Sequence, residues 1–226
     1  MKNNKKRNKL EFENKLNSVL QELIKIPIIE KSDEVSIPVY LHKNFLVKRL
    51  FLNRFKTAYG LTEFTNKTIL DYGCGSGLFL QSISSEIKKG IGVDLDITIA
   101  KSIIKADNVE LFQIQNGKNL EKLSKIDIIT SFDVLEHVEN LDSLLDAFST
   151  ILSPSGKIII SGPTENFLYK ISRKIANIGI KGNLKGGDEH VRNIFDIKNM
   201  TINHGLKLDK DISLSWLFHV MMFTKK

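Results

Sequence analysis

The chain has 226 residues, of which 42% are hydrophobic and 26% charged, and it carries a formal net charge of +7. That length and apolar content describe one globular domain with an elaborated end and exclude a disordered chain. One cysteine, Cys74, excludes a disulfide framework and suits a reducing cytoplasm, and no run of about 18 apolar residues offers a membrane span.

The positive charge is concentrated in residues 1–66, at +6, and in Pro163 to Gly187, at +4, where Lys170, Arg173, Lys174, Lys181 and Lys185 face Glu165 alone, which leaves the rest of the chain net negative. The plain reading is solvated surface lysines; the sharper one is that both segments face an anionic substrate or a membrane surface. The basic start (Lys2, Lys5, Lys6, Arg7, Lys9) leads into an amphipathic pattern rather than an apolar stretch, so it does not read as a secretory signal.

In chain order, Leu16, Val19, Leu20, Leu23 and Ile24 recur at helical spacing before Pro27, which predicts a helix ending near Ile26. Phe45, Leu46, Leu50, Leu52 and Phe55 predict a second helix to Tyr59, with Gly60 as its stop. No strand signal precedes Thr68, so residues 1–66 read as a helical cap and 67–226 as the main domain. Strands are predicted at Thr68–Asp71, Ile91–Asp94, Val109–Ile114, Ile126–Ser131 and Lys157–Ser161, the last entered through a turn at Pro154 and Gly156. Between them lie helices at about Gly77–Ile87, Ile97–Ala106 with Asp96 as cap, and Leu141–Leu152 with Asn140 as cap, and a weakly patterned connection at Gly117–Lys125. A later helix from about Ile197 to His204 sits between Asp196 and Gly205, and Leu206–Ser213 with Phe218–Thr224 predicts a terminal hairpin. The alternation implies an α/β fold: a Rossmann-like, doubly wound, mostly parallel sheet with an antiparallel C-terminal hairpin and an N-terminal helical cap, and ligands at the carboxyl ends of the strands.

The most specific feature is Ile69-Leu70-Asp71-Tyr72-Gly73-Cys74-Gly75-Ser76-Gly77, followed by a second apolar run that closes on Asp94. Gly73 and Gly75 allow a tight turn and close backbone approach to a nucleotide-sized ligand, and the carboxylate of Asp94 suits a ribose diol. The third glycine of the dinucleotide fingerprint is out of register, which argues against a nicotinamide-dependent oxidoreductase.

Here the chain resembles the class I S-adenosylmethionine-dependent methyltransferases, whose first motif is an acid, one spacer and G-x-G-x-G. The resemblance continues through Gly92-Val93-Asp94-Leu95-Asp96, through Phe132-Asp133-Val134-Leu135-Glu136-His137-Val138, and through Leu152-Ser153-Pro154-Ser155-Gly156-Lys157, covering about residues 66 to 162. Glu189-His190-Val191-Arg192 matches the family's later part more weakly. The resemblance implies a seven-stranded sheet and S-adenosylmethionine as cofactor. Gly73, Gly75 and Gly77 would line its methionine part, Asp71 would meet the amino group, Asp94 the ribose hydroxyls, and Leu95 would pack on adenine. Gln115 or Asn116 can supply a neutral acceptor for the adenine amino group where many relatives carry an aspartate; packing and backbone alone are the alternative. Phe132 would border the methyl-donor pocket, though a core aromatic has the same sequence appearance.

His137 and His190 are the candidate general bases, with loop fixing and helix capping as the competing role for Asp133, Glu136 and His137. Glu136 and His137 alone do not make a metal site. Phe167, Leu168, Ile171, Ile175 and Ile178, with basic residues between them, read as a substrate cover over 163–192, or as a membrane-surface helix. The expected reaction moves a methyl group to a small-molecule or lipid-linked acceptor, on oxygen, with an anionic acceptor and peripheral membrane contact fitting the charge pattern. A non-catalytic cofactor-binding scaffold and a nucleic-acid methyltransferase are the alternatives. The latter is disfavoured because aromatic residues are not interleaved with the basic arm.

Overall fold

The computed structural model describes residues 2–26, 45–114, 120, 123, 125–164 and 191–225. Among them β1 (Thr68–Tyr72), β2 (Lys89–Asp94), β3 (Val109–Gln113), β4 (Ile126–Phe132), β5 (Leu152–Pro163), β6 (Leu206–Leu214) and β7 (Phe218–Lys225) form one sheet in the order β3-β2-β1-β4-β5-β7-β6. The first five strands are parallel, while β7 runs antiparallel to both β5 and β6. The doubly wound sheet and its terminal hairpin agree with the sequence expectation.

Strand alternation sends neighbouring residues to opposite faces, and both faces are covered. Ile69, Ile128, Ile159, Val220 and Met222 join one core with α1 (Lys2–Ile24), α2 (Phe45–Leu61), α3 (Leu78–Ile83) and α4 (Thr98–Ile103). Leu70, Ile129, Ile158, Ile160, Met221 and Phe223 join the other with α5 (Leu141–Ile151) and α6 (Ile194–Asn203). The N-terminal helices are bound into the first core by aromatic rings. Phe12 of α1 stacks on Tyr59 of α2 at 4.2 Å and meets Phe79 of α3 at 5.9 Å, while Phe55 meets Phe132 at 4.9 Å.

Several boundaries differ from expectation for local reasons. Gly60 does not stop α2: the helix runs on to Leu61, whose side chain packs on the first core and rewards one more helical residue. Pro154 and Gly156 make no turn into β5. The strand is continuous from Leu152, and Ile126 pairs with Leu152 while Ile128 pairs with Lys157, so residues 153–156 bulge from the ladder. That bulge absorbs the proline, which has no N–H for a regular ladder. α3 ends at Ile83 rather than Ile87; the Ser82 and Ser84 hydroxyls donate to Leu78 O and Gln81 O, competing with helix propagation. α4 spans only Thr98–Ile103 because Ile104 is already extended, and the Asp96 carboxylate accepts the Thr98 N–H at 2.8 Å. α6 begins earlier than expected: Asn193 is its cap, and Asp196 closes the reciprocal capping box. Asn140 caps α5 as expected, accepting the Ser143 N–H at 3.2 Å. The connection 117–125 and the segment 165–190 fall largely or wholly outside the described residues.

At the end of α6, His204 is held between two carboxylates of α5: Nε2 lies 2.8 Å from Asp142 and Nδ1 2.8 Å from Asp146. Those hydrogen bonds push the imidazole pKa up. A histidine raised above its unfolded value contributes stability that is full below about pH 6.5 and is lost as pH rises through the folded value. Thermal melting of the wild type and H204Q should therefore differ at about pH 6 and converge toward pH 8.5; equal differences at both would contradict the linkage.

Candidate functional site

The strand order reverses between β1 and β4, which opens a crevice at the carboxyl ends of the strands. β1 leaves the sheet there at Gly73, whose N–H and that of Cys74 both donate to Val93 O, at 2.8 and 3.0 Å. The Gly77 N–H closes back on Cys74 O at 2.8 Å. All three glycines have positive φ, at 73°, 51° and 73° for Gly73, Gly75 and Gly77. At Gly73 the need is also steric, since a Cβ would come within 2.2 Å of a Val134 methyl carbon. Substitution G73A should cost on the order of 3 kcal/mol by overpacking and left-handed strain. Urea unfolding measures this, and a loss below about 1 kcal/mol would contradict it.

Asp94 ends β2 beside this turn. Its Oδ2 accepts the Gly75 N–H at 2.7 Å, and its Oδ1 accepts the N–H groups of Leu95 and Asp96 at 2.7 and 3.3 Å. Burial pushes its pKa up, opposed by those three N–H donors. A carboxylate has about four acceptor directions and three N–H groups take three of them, so one hydroxyl finds an open direction on Oδ2 and a second would displace the long Asp96 N–H at 3.3 Å. Leu95 is 69% exposed next to it, fixed by Gln113, whose side-chain nitrogen donates to Leu95 O at 2.7 Å.

Asp71 lies at the end of β1 and is fully enclosed. Burial raises its pKa to about 7, the Thr130 hydroxyl donating to Oδ1 at 2.7 Å pulls it down, and the Asp94 charge pushes it up. Among the described residues no cationic side chain enters that balance, so an incoming ammonium would meet an unneutralised buried carboxylate.

Phe132 is buried at the end of β4, edge-on to Phe55 at 4.9 Å and Phe79 at 4.8 Å. Asp133 follows with φ 56°, donating its N–H to Ser161 O and accepting the Ser161 hydroxyl at 2.9 Å. It forms an ion pair with Arg54, which reaches in from α2 and is 2% exposed. His137 is exposed on a 3₁₀ turn (Leu135–His137), whereas Glu136 is buried. His190, Gln115 and Asn116 lie outside the described residues. Among the described residues, no three His, Cys, Asp or Glu side chains gather as a metal ion requires.

The structure thus brings Asp71, Gly73, Gly75, Gly77, Asp94 and Leu95 together around one turn, with Phe132 at the neighbouring strand end. Sequence reading missed Thr130 and Arg54. Each carries a faint signal: Thr130, beside Ser131, puts a hydroxyl into the mostly apolar run Ile126–Phe132, and Arg54 puts a cation among Phe51, Leu52 and Phe55.

A methyltransferase domain model matches residues 40–208. The chain is 32% identical over 120 residues to the mitochondrial ubiquinone biosynthesis O-methyltransferase of Dictyostelium discoideum, covering 46% of this chain and 37% of that one. It is 31% identical over 113 residues to the ubiquinone biosynthesis O-methyltransferase of Coxiella burnetii, covering 46% and 48%. The match thus spans less than half the length of either relative. Among solved structures, the N-methyltransferase NodS of Bradyrhizobium japonicum, in complex with S-adenosyl-L-homocysteine, superposes with a TM-score of 0.63 at 13% identity over 94% of this chain and 98% of that one. That likeness establishes the fold. With the domain match over most of its length, the chain belongs to the methyltransferase domain family, on the class I S-adenosylmethionine-dependent methyltransferase fold.

Proposed function

We propose that the chain is an S-adenosylmethionine-dependent methyltransferase acting on oxygen of a small-molecule or lipid-linked acceptor. The observation that carries the cofactor assignment is the pair of carboxylates flanking the glycine turn: Asp71, buried without a countercharge among the described residues, and Asp94 at the strand end. Asp71 would hold the ammonium of the methionine part, and the glycine backbone would lie against its chain where a Cβ would intrude. Asp94 would take the ribose hydroxyls, and Leu95 would cover an adenine face.

When bound, the cofactor supplies a methyl group activated by a positively charged sulfur, which leaves as a neutral thioether. The protein's part is alignment and exclusion of water, with Phe132 and its aromatic neighbours Phe55 and Phe79 walling the donor end. An alcohol or phenol acceptor must also lose a proton, for which His137 and His190 remain the proposed bases. Oxygen as acceptor atom rests on the names of the two ubiquinone-pathway relatives. Peripheral membrane contact is part of the same proposal. Phe45 and Trp216 are exposed at 66% and 77%, and Lys48 and Arg49 follow Phe45 on α2, which suits an anionic interface. Cys74, the single cysteine, is buried as a thiol, which fits a cytoplasmic setting.

Incubation with methyl-labelled cofactor and cell extract, with and without lipids, tests the reading. Labelled product carrying the methyl on oxygen is expected, with more product when lipid is present. Tight S-adenosylhomocysteine binding with no transferred label would instead indicate a non-catalytic binder, and label on nitrogen would overturn the acceptor atom.

A further inference from the structure

A buried arginine on a cap helix needs a reason, because a guanidinium removed from water is costly unless its partner is fixed in place. The Arg54 guanidinium pairs with Asp133, its Nε donates to Phe51 O at 3.1 Å, and its carbon lies 4.6 Å from the Phe51 ring and 5.1 Å from that of Phe218. Asp133 is equally committed: one oxygen faces Arg54, the other accepts the Ser161 hydroxyl, and the backbone stands in the left-handed region that a non-glycine residue rarely occupies. On either side of it, Phe132 packs between Phe55 and Phe79, and the Val134 methyls fill the space that a side chain on Gly73 would need.

We propose that Arg54 is a positioning residue for methyl transfer: its ion pair with Asp133 locks the corner after β4 against the glycine turn and makes the cap helix part of the site. This rests on the reading above that the turn holds the methyl donor. The physical logic is reciprocal. α2 cannot seat its arginine unless the corner is formed, and the corner cannot hold its left-handed aspartate without the arginine. Docking of α2 and ordering of Phe132–Val138 therefore occur as one step, and what the turn binds is felt by the cap through Val134, Asp133 and Arg54.

Hydrogen–deuterium exchange on the full chain, with and without S-adenosylhomocysteine, tests this. In R54M and D133N, exchange over Phe132–Val138 should rise about tenfold or more while β1 and β2 keep wild-type rates, because only one coupled contact is lost. The double variant should exchange no faster than either single one, and R54K should recover part of the protection. Ligand should slow these amides in the wild type and fail to slow them in R54M at saturation. Unchanged exchange at the corner, a uniform rise across the sheet, or additive effects in the double variant would overturn the proposal. Should R54M not fold, R54K and D133N carry the same comparison. Absence of S-adenosylhomocysteine binding to the wild type would instead overturn the cofactor assignment, while the local exchange result would still decide the clamp.

Discussion

D94A is expected to weaken S-adenosylhomocysteine binding by about a hundredfold. Two hydrogen bonds to a charged acceptor are lost, each worth about 1.5–3 kcal/mol before compensation by water. The same oxygens also hold the N–H groups of Gly75, Leu95 and Asp96, so alanine releases the glycine turn as well as the ribose. D94N separates the two losses. Its carbonyl still accepts the Gly75 N–H, so affinity should fall only about tenfold, the cost of one acceptor and the charge. Stability should not be spared either: the Asn amide nitrogen cannot accept the Leu95 and Asp96 N–H groups, so although burial has raised the Asp94 pKa, D94N should melt lower than the wild type near pH 8. Calorimetric titration with thermal melting reads both. Unchanged affinity in D94A would refute the ribose role.

What made Asp94 legible is that its role is local. The strand it ends, the glycine turn it contacts and the helix after that turn all lie within one strand–turn–helix–strand unit, where spacing alone fixes geometry. The strands were legible for the same reason, as short apolar runs separated by turn residues. Gly60 and Pro154 misled because each was judged by intrinsic preference, while Leu61 found a core to pack on and the residues around Pro154 could bulge from an otherwise continuous strand. The two polar contacts that complete the site were illegible because neither is local. Thr130 meets Asp71 only because β4 is laid beside β1, fifty-nine residues apart in sequence. Arg54 meets Asp133 only once the cap has folded against the sheet face. A hydroxyl in a buried strand and a cation in an apolar helical stripe announce that a partner exists without saying which.

Asp71 gives the second large effect, because its pKa of about 7 couples cofactor affinity to pH in the physiological range. A carboxyl whose folded pKa lies above its unfolded value holds its proton more tightly when folded. Its contribution to stability is therefore full below about pH 4 and is lost as pH rises from about 4 to about 7. The ligand-free protein consequently carries an unfavourable buried charge at pH 8, and D71N should melt higher than the wild type there, with the gap closing toward pH 5. Binding follows the opposite course. The cofactor's ammonium pairs with the ionised form, so wild-type affinity for S-adenosylhomocysteine should rise about tenfold per pH unit below about 7 and then level off. D71N should show a flat profile and bind far more weakly at pH 8. Thr130 sets where the curve bends, since its hydroxyl favours the ionised carboxylate. T130V should therefore move the midpoint to higher pH without flattening the curve, whereas a merely structural threonine would lower affinity equally at every pH. A D71N protein that is no more stable than wild type at pH 8 and still titrates between about pH 6 and 8 would assign that pH dependence to another group.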